Sequence, residues 1–102
     1  LTLAAKQGIL LEGSPLAVAN GTRFPILQGA MTRVSDCSEF AYAVADAGAL
    51  PFLALALMRK DEVETLLSSC KEKLNLLSWG VGMLGFVPPE LRQEQLDVVL
   101  KY

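Results

Sequence analysis

Histidine is absent from the 102 residues. No imidazole acid, base or metal ligand can therefore come from this chain. Cysteine is scarce: Cys37 and Cys70 stand far apart and match no C-x-x-C spacing. They read as two buried core thiols, of the kind kept in a reducing cytoplasm. Basic excess is lacking too, with a net charge of −2 and a pI near 5.0. Nothing is available to neutralise a run of phosphates, so no nucleic-acid partner is expected. The longest apolar run, Leu50 to Met58, is strand-sized and falls well short of the roughly 18 residues of a membrane span. No membrane partner is expected. Leu1 to Leu11 has neither the basic start nor the cleavage-type end of a signal peptide. The first residue is not Met, so an excised piece of a longer cytoplasmic protein is expected. There is no G-x-x-x-x-G-K-[ST] loop and no G-x-S-x-G elbow.

What is present is apolar and regular. Hydrophobic residues make up 52% and charged residues 20%, enough for one small domain with a real core. Leu1 to Gln7 reads as the end of a helix. Ile9–Leu11 and Leu16–Val18, separated by Glu12-Gly13-Ser14-Pro15, suggest a short β-hairpin. Residues 1–22 then form a lead-in segment that ends at the Asn20-Gly21 turn.

From Arg23 onward a strand–loop–helix plan repeats. The first strand is Phe24 to Gln28, with Pro25 at an edge or start because it has no N–H to donate. The first helix runs from about Asp36 to Ala47. Asp36 and Glu39 form a capping-box-like start, Cys37, Phe40, Ala41 and Val44 form the buried face, and Gly48 is the stop. The second strand, Phe52 to Ala56, is apolar throughout, as in a parallel strand covered on both faces. Asp61 and Glu64 start the next helix, which buries Val63, Leu66, Leu67, Cys70 and Leu74 and leaves Lys71 to Lys73 in water. The third strand is Trp79 to Leu84. Pro88-Pro89 opens a last helix with Leu91, Leu96, Val99 and Leu100 inward. Such alternation predicts a parallel sheet with crossover helices. The even spacing of Phe24, Phe52 and Trp79 fits either part of a (β/α) barrel or half of a doubly wound sheet.

Two stretches could carry chemistry. Gly80-Val81-Gly82-Met83-Leu84-Gly85 spells G-x-G-x-x-G. A dinucleotide loop needs those glycines in a turn that opens directly into a helix, and Pro88-Pro89 would break one begun at Gly82. The competing reading is a glycine-rich strand that lets a ring or a backbone approach closely. Gln28-Gly29-Ala30-Met31-Thr32 is the stronger candidate. Gly29 and Ala30 leave backbone uncovered for a flat ring to stack on, with Met31 packing softly beside it. An ordinary tight βα loop fits those residues equally well. Arg33 stands where it could hold an anion, or simply face solvent. Asp36, Glu39, Asp61 and Glu64 read as helix-start carboxylates that complement the helix dipole.

The sequence F-P-I-L-Q-G-A-M-T-R-V-S (Phe24–Ser35), followed by A-Y-A-V-A-D-A-G-A-L-P-F-L-A (Ala41–Ala54), resembles the opening of the nitronate monooxygenase family, also called 2-nitropropane dioxygenases. Flavin-type enoyl-acyl-carrier-protein reductases belong to the same group. T-R-V-S-D, A-L-P-F-L-A-L-A-L-M-R and W-G-V-G-x-L-G-F-V-P-P-E-L-R are similar to the variant embedded in polyketide and polyunsaturated-fatty-acid synthases. The resemblance spans about Gly21 to Leu96.

It implies a TIM barrel that binds FMN at the C-terminal ends of its strands, with Gln28, Gly29, Ala30, Met31 and Gly82 around the flavin. Many members carry Asn at the position of Gly82 and Pro at that of Ala30, so the Asn side-chain hydrogen bond to flavin is not expected here. The catalytic histidine of nitronate monooxygenases lies in a later segment. A whole barrel takes roughly 250 residues, so the expectation is its first three βα units, over residues 23–102. Such a piece should not bind FMN tightly or turn over alone, and its open sheet edges should drive self-association. The implied substrate is an acyl-carrier-linked or small molecule. A non-catalytic docking barrel of such a synthase is the alternative.

Overall fold

A computed structural model describes residues 10–102. Among them are four helices and one three-stranded parallel sheet. The helix expected at Leu1–Gln7 lies outside the described residues. The hairpin does not form. Ser14 accepts a hydrogen bond from the Ala17 N–H (3.4 Å), Pro15 occupies the first helical position, and a short helix α1 runs Pro15–Asn20. Ser-Pro thus acts as a helix start rather than a turn. Asn20-Gly21 does punctuate the chain, but as a helix stop, with Gly21 left-handed at φ 68°.

The sheet is built from β1 (Leu27–Gln28), β2 (Leu50–Ala54) and β3 (Gly80–Gly82), in the order β1-β2-β3. Leu27 pairs with Leu50, Phe52 with Gly80 and Ala54 with Gly82. β1 and β3 are shorter than the sequence predicts, and β2 has the expected length but begins and ends two residues earlier. Around Pro25 pairing persists only as isolated bonds, Phe24 N–H to the Gly48 carbonyl and Leu50 N–H to the Ile26 carbonyl (both 2.9 Å). At the other end of β2, Ala56 turns left-handed (φ 49°) and breaks the extended run.

Helix α2 (Ser38–Asp46) ends as its sequence predicts. Gly48 N–H donates to the Ala45 carbonyl and Ala49 N–H to that of Val44, with Gly48 at φ 98°, the pairing of a Schellman stop. Its start differs. Cys37 is the capping position and makes no side-chain cap, so Asp36 and Glu39 do not form the expected box. The buried face is Ser38, Ala41 and Ala45; Ala41 is buried as the sequence predicts, while Cys37, Phe40 and Val44 are only half-buried. Small residues here admit the next helix closely, and Ser38 and Ser69 hydroxyls meet at 2.7 Å.

Helix α3 (Lys60–Leu74) buries the five residues its periodicity predicts. Its N-terminal donors are met differently. The Glu62 carboxylate accepts from the Arg59 N–H (3.3 Å), and Glu94 from the last helix accepts from the Lys60 N–H (2.6 Å). Glu64 instead accepts from the Tyr102 hydroxyl (2.6 Å) and the Lys101 ammonium (3.1 Å), which hold its carboxyl below the usual range. Helix α4 (Pro89–Val99) buries Leu91, Gln95 and Val98; Leu96 and Leu100 face solvent. The helical period from Leu91 runs through a glutamine, which apolarity alone does not reveal.

The core lies between the sheet and α2–α4. Leu53 and Leu55 from β2 and its exit meet Ala41, Val63, Leu67, Leu74 and Val98, all nearly inaccessible to solvent. Each such large side chain contributes on the order of 1.5–3 kcal/mol. Strand alternation turns Phe52, Ala54, Gly80 and Gly82 to the opposite face. There Leu27, the register partner of Leu50, remains 51% exposed.

Of the two thiols, Cys70 is buried and Cys37 is only half-buried, so the expected pair of core cysteines holds for one. Burial pushes the Cys70 thiol up from 9.0 to about 11. The unfolded chain loses this proton first, so the native state binds more protons above the ordinary thiol value and stability falls as pH rises. Denaturant titrations between pH 8 and 11 should show that loss, and Cys70→Ala should flatten it. An unchanged slope in the variant would remove Cys70 as its source.

Candidate functional site

The loops that leave the three strands converge at the C-terminal end of the sheet. The first, after β1, is closed by local hydrogen bonds. Val34 and Ser35 N–H groups donate to the Met31 carbonyl (3.0 and 2.9 Å), and the Met31 N–H donates to the Ser35 hydroxyl (2.8 Å). Arg33 takes the left-handed conformation this tight path requires (φ 65°). Ser35 is 1% exposed, and its carbonyl accepts from the Ala54 N–H (2.9 Å). One serine thus closes the loop and fastens it to the end of β2. Sequence reasoning passed over Ser35. Its signal was a hydroxyl four residues after Met31, in the position to bond back to the backbone.

Gln28 points along the sheet. Its Oε1 accepts from the Phe52 N–H (3.2 Å) and its Nε2 donates to the Gly29 carbonyl. It therefore braces β1 against β2. Gly29 faces open space: a Cβ built there would meet nothing within 4 Å. Ala30 and Gly82 are brought into direct contact, and a Cβ on Gly82 would lie 2.4 Å from that of Ala30. Met31 stands 42% exposed at the rim.

The glycines of β3 are explained by close approach. Gly80 lies under the Phe52 ring, where a Cβ would come within 2.6 Å of the ring, and Gly82 lies under Ala30. Both are inside the strand, and α4 begins only at Pro89. The G-x-G-x-x-G match is therefore not a turn opening into a helix N-terminus, which a bound pyrophosphate needs.

Beside this crown lies a cleft of about 570 Å³, walled by all three loops. Leu57, Leu84 and Phe86 supply apolar surface, while Arg33, Asp36 and Glu62 supply charge. Phe86 is 84% exposed and Leu57 64%. One cation and two carboxylates line the same space, so the cleft is not built as an anion trap. No metal-binding group of His, Cys, Asp and Glu side chains occurs among the described residues. No helix there is long and apolar enough to cross a membrane.

No protein-family model matches the chain, and no curated protein matches it.

The Ala30–Gly82 contact makes a sharp prediction. Gly82→Ala should cost about 1–3 kcal/mol in denaturant unfolding, as overpacking at a close contact does. Adding Ala30→Gly should recover most of that loss. Purely additive single effects would show that the two positions do not touch.

Proposed function

We propose that the chain is the opening part of a flavin-type TIM barrel, about three βα units over residues 23–102, within an FMN-dependent oxidoreductase domain. The parent domain is of the nitronate monooxygenase and enoyl-reductase kind, carried cytoplasmically by a polyketide or fatty-acid synthase. The sequence resemblance over Gly21–Leu96 is what supports this choice of family. The observation that carries the reading is the convergence of three successive parallel-strand exits at one end of the sheet, around a cleft of mixed apolar and charged lining, where barrel enzymes build their sites.

The residues fit a flat ring. Gly29 leaves its backbone uncovered with room above it, Met31 offers a polarizable side chain at the rim, and the Ala30–Gly82 contact keeps bulk out from between the strands. Gln28 and Ser35 do not reach for the ring in this reading; they hold β1 and its loop where Gly29 and Ala30 are presented. FMN, when bound, supplies hydride or electron transfer, and the protein supplies position and electrostatics. An acyl-carrier-linked enone or a small nitronate is the substrate class.

A second reading, a non-catalytic docking barrel, draws on one feature. Ala30 and Gly82 carry no polar side-chain atom, so neither position can offer flavin a side-chain hydrogen bond.

In the parent protein expressed across the whole barrel, bound flavin should be visible in the absorption spectrum. Gly29→Val should fold normally, since its side chain enters open space, yet reduce flavin content by at least about tenfold through collision with the ring. A colourless, well-folded parent that ignores added FMN would sink the oxidoreductase reading and favour the docking barrel. The isolated chain should also self-associate, because β1 and β3 each have one sheet neighbour and an open edge. A monomeric mass by light scattering at high concentration would count against that.

A further inference from the structure

The buried polar group the core does not explain is Gln95 of α4. It is fully inaccessible, its Nε2 donates to the carbonyls of Ala56 (3.1 Å) and Met58 (2.9 Å), and its Oε1 has no partner. A buried acceptor left unpaired is costly. A residue kept there on packing grounds alone would be apolar. The two bonds it makes are therefore what sets its identity.

Both bonds go to the loop between β2 and α3. Ala56 is left-handed at φ 49°, a conformation an alanine rarely adopts unless its surroundings impose it. The Met58 N–H then turns back to the Leu55 carbonyl (2.9 Å). The neighbouring residue on α4 extends the grip. Glu94 accepts from the Arg59 guanidinium (2.8 and 3.3 Å) and from the Lys60 N–H (2.6 Å). Two consecutive side chains of one helix thus hold four of the five residues from Ala56 to Lys60. Ala56, Leu57 and Met58 are also a wall of the C-terminal cleft.

We infer that Gln95 is a positioning residue: through paired donation to Ala56 and Met58, with Glu94 beside it, it fixes the β2–α3 loop in the shape that forms the cleft wall. The inference stands on the loop geometry and does not need the flavin reading.

Native-state hydrogen exchange, read on peptides of the chain by mass spectrometry, tests it. Gln95→Met keeps the side chain's length and removes both donors. It should speed exchange in segment 55–60 by about tenfold or more, the effect of losing two buried hydrogen bonds, while segment 63–74 changes much less. Ala56→Gly, which takes a positive φ without a Cβ, should restore much of the lost protection in that background. It should not do so in a Leu67→Ala background, where the core rather than the loop is weakened. If Gln95→Met does not fold, Gln95→Asn is judged by the same criterion, since it keeps the carboxamide but falls one methylene short. Unchanged exchange in segment 55–60, or a rise there only in step with segment 63–74, would overturn the inference. So would failure of Ala56→Gly to rescue.

Discussion

Everything in this structure depends on one face of β2. Leu53 and Leu55 are nearly inaccessible, and α2, α3 and α4 all pack toward them. β2 is also the middle strand, so β1 and β3 have a sheet to join only because β2 is held in place. Burial of apolar surface is non-directional, but the alternation of a strand makes it so. With Leu53 and Leu55 committed to the helices, Phe52 and Ala54 must face the other way. That in turn dictates what β3 can be. The Phe52 ring covers Gly80, and Ala30, arriving from the β1 exit, covers Gly82. The glycines are thus a packing consequence of the neighbouring strands rather than a phosphate loop.

The same dependence explains which parts of the fold were legible in the sequence. α3 was readable residue by residue because Val63, Leu66, Leu67, Cys70 and Leu74 are apolar and keep helical spacing. The stop of α2 was readable because Gly48 takes a left-handed conformation that other residues resist. The lead-in was misread as a hairpin because Ser14-Pro15 serves equally as turn or helix start, and only the bond to the Ala17 N–H decides. α4 was misread in register because its buried stripe passes through Gln95. On α2 only Ala41 of the expected face is fully buried, because Ser38 and Ala45, not the larger Phe40 and Val44, complete the buried stripe.

At the candidate site, sequence pattern singles out residues that the fold brings near one another, and says little of what each touches. Gln28, Gly29, Ala30, Met31 and Gly82 do lie at one end of the sheet, and two of them touch. Their division of labour was hidden. Gln28, which the resemblance puts among the residues around a flavin, accepts the Phe52 N–H at its Oε1, a bond no sequence pattern announces. Ser35 was invisible because its work is done through backbone partners, at Met31 on one side and Ala54 on the other. Hydrogen bonds of that kind leave no spacing rule strong enough to read without coordinates.

The Glu94–Gln95 grip on residues 56–60 also imposes a timetable. A ribosome delivers the chain from its N-terminus, so β2 and α3 emerge well before the helix that holds their junction. Until α4 is made, the Lys60 N–H lacks its carboxylate from Glu94 and Ala56 has little reason to stay left-handed. α3 has its own apolar periodicity, but the bonds from α4 that hold its departure from β2 must wait for Glu94 and Gln95. The mouth of the cleft thus cannot be completed before α4 has been synthesised, although two of its three loops are encoded in the first half of the chain's repeating plan.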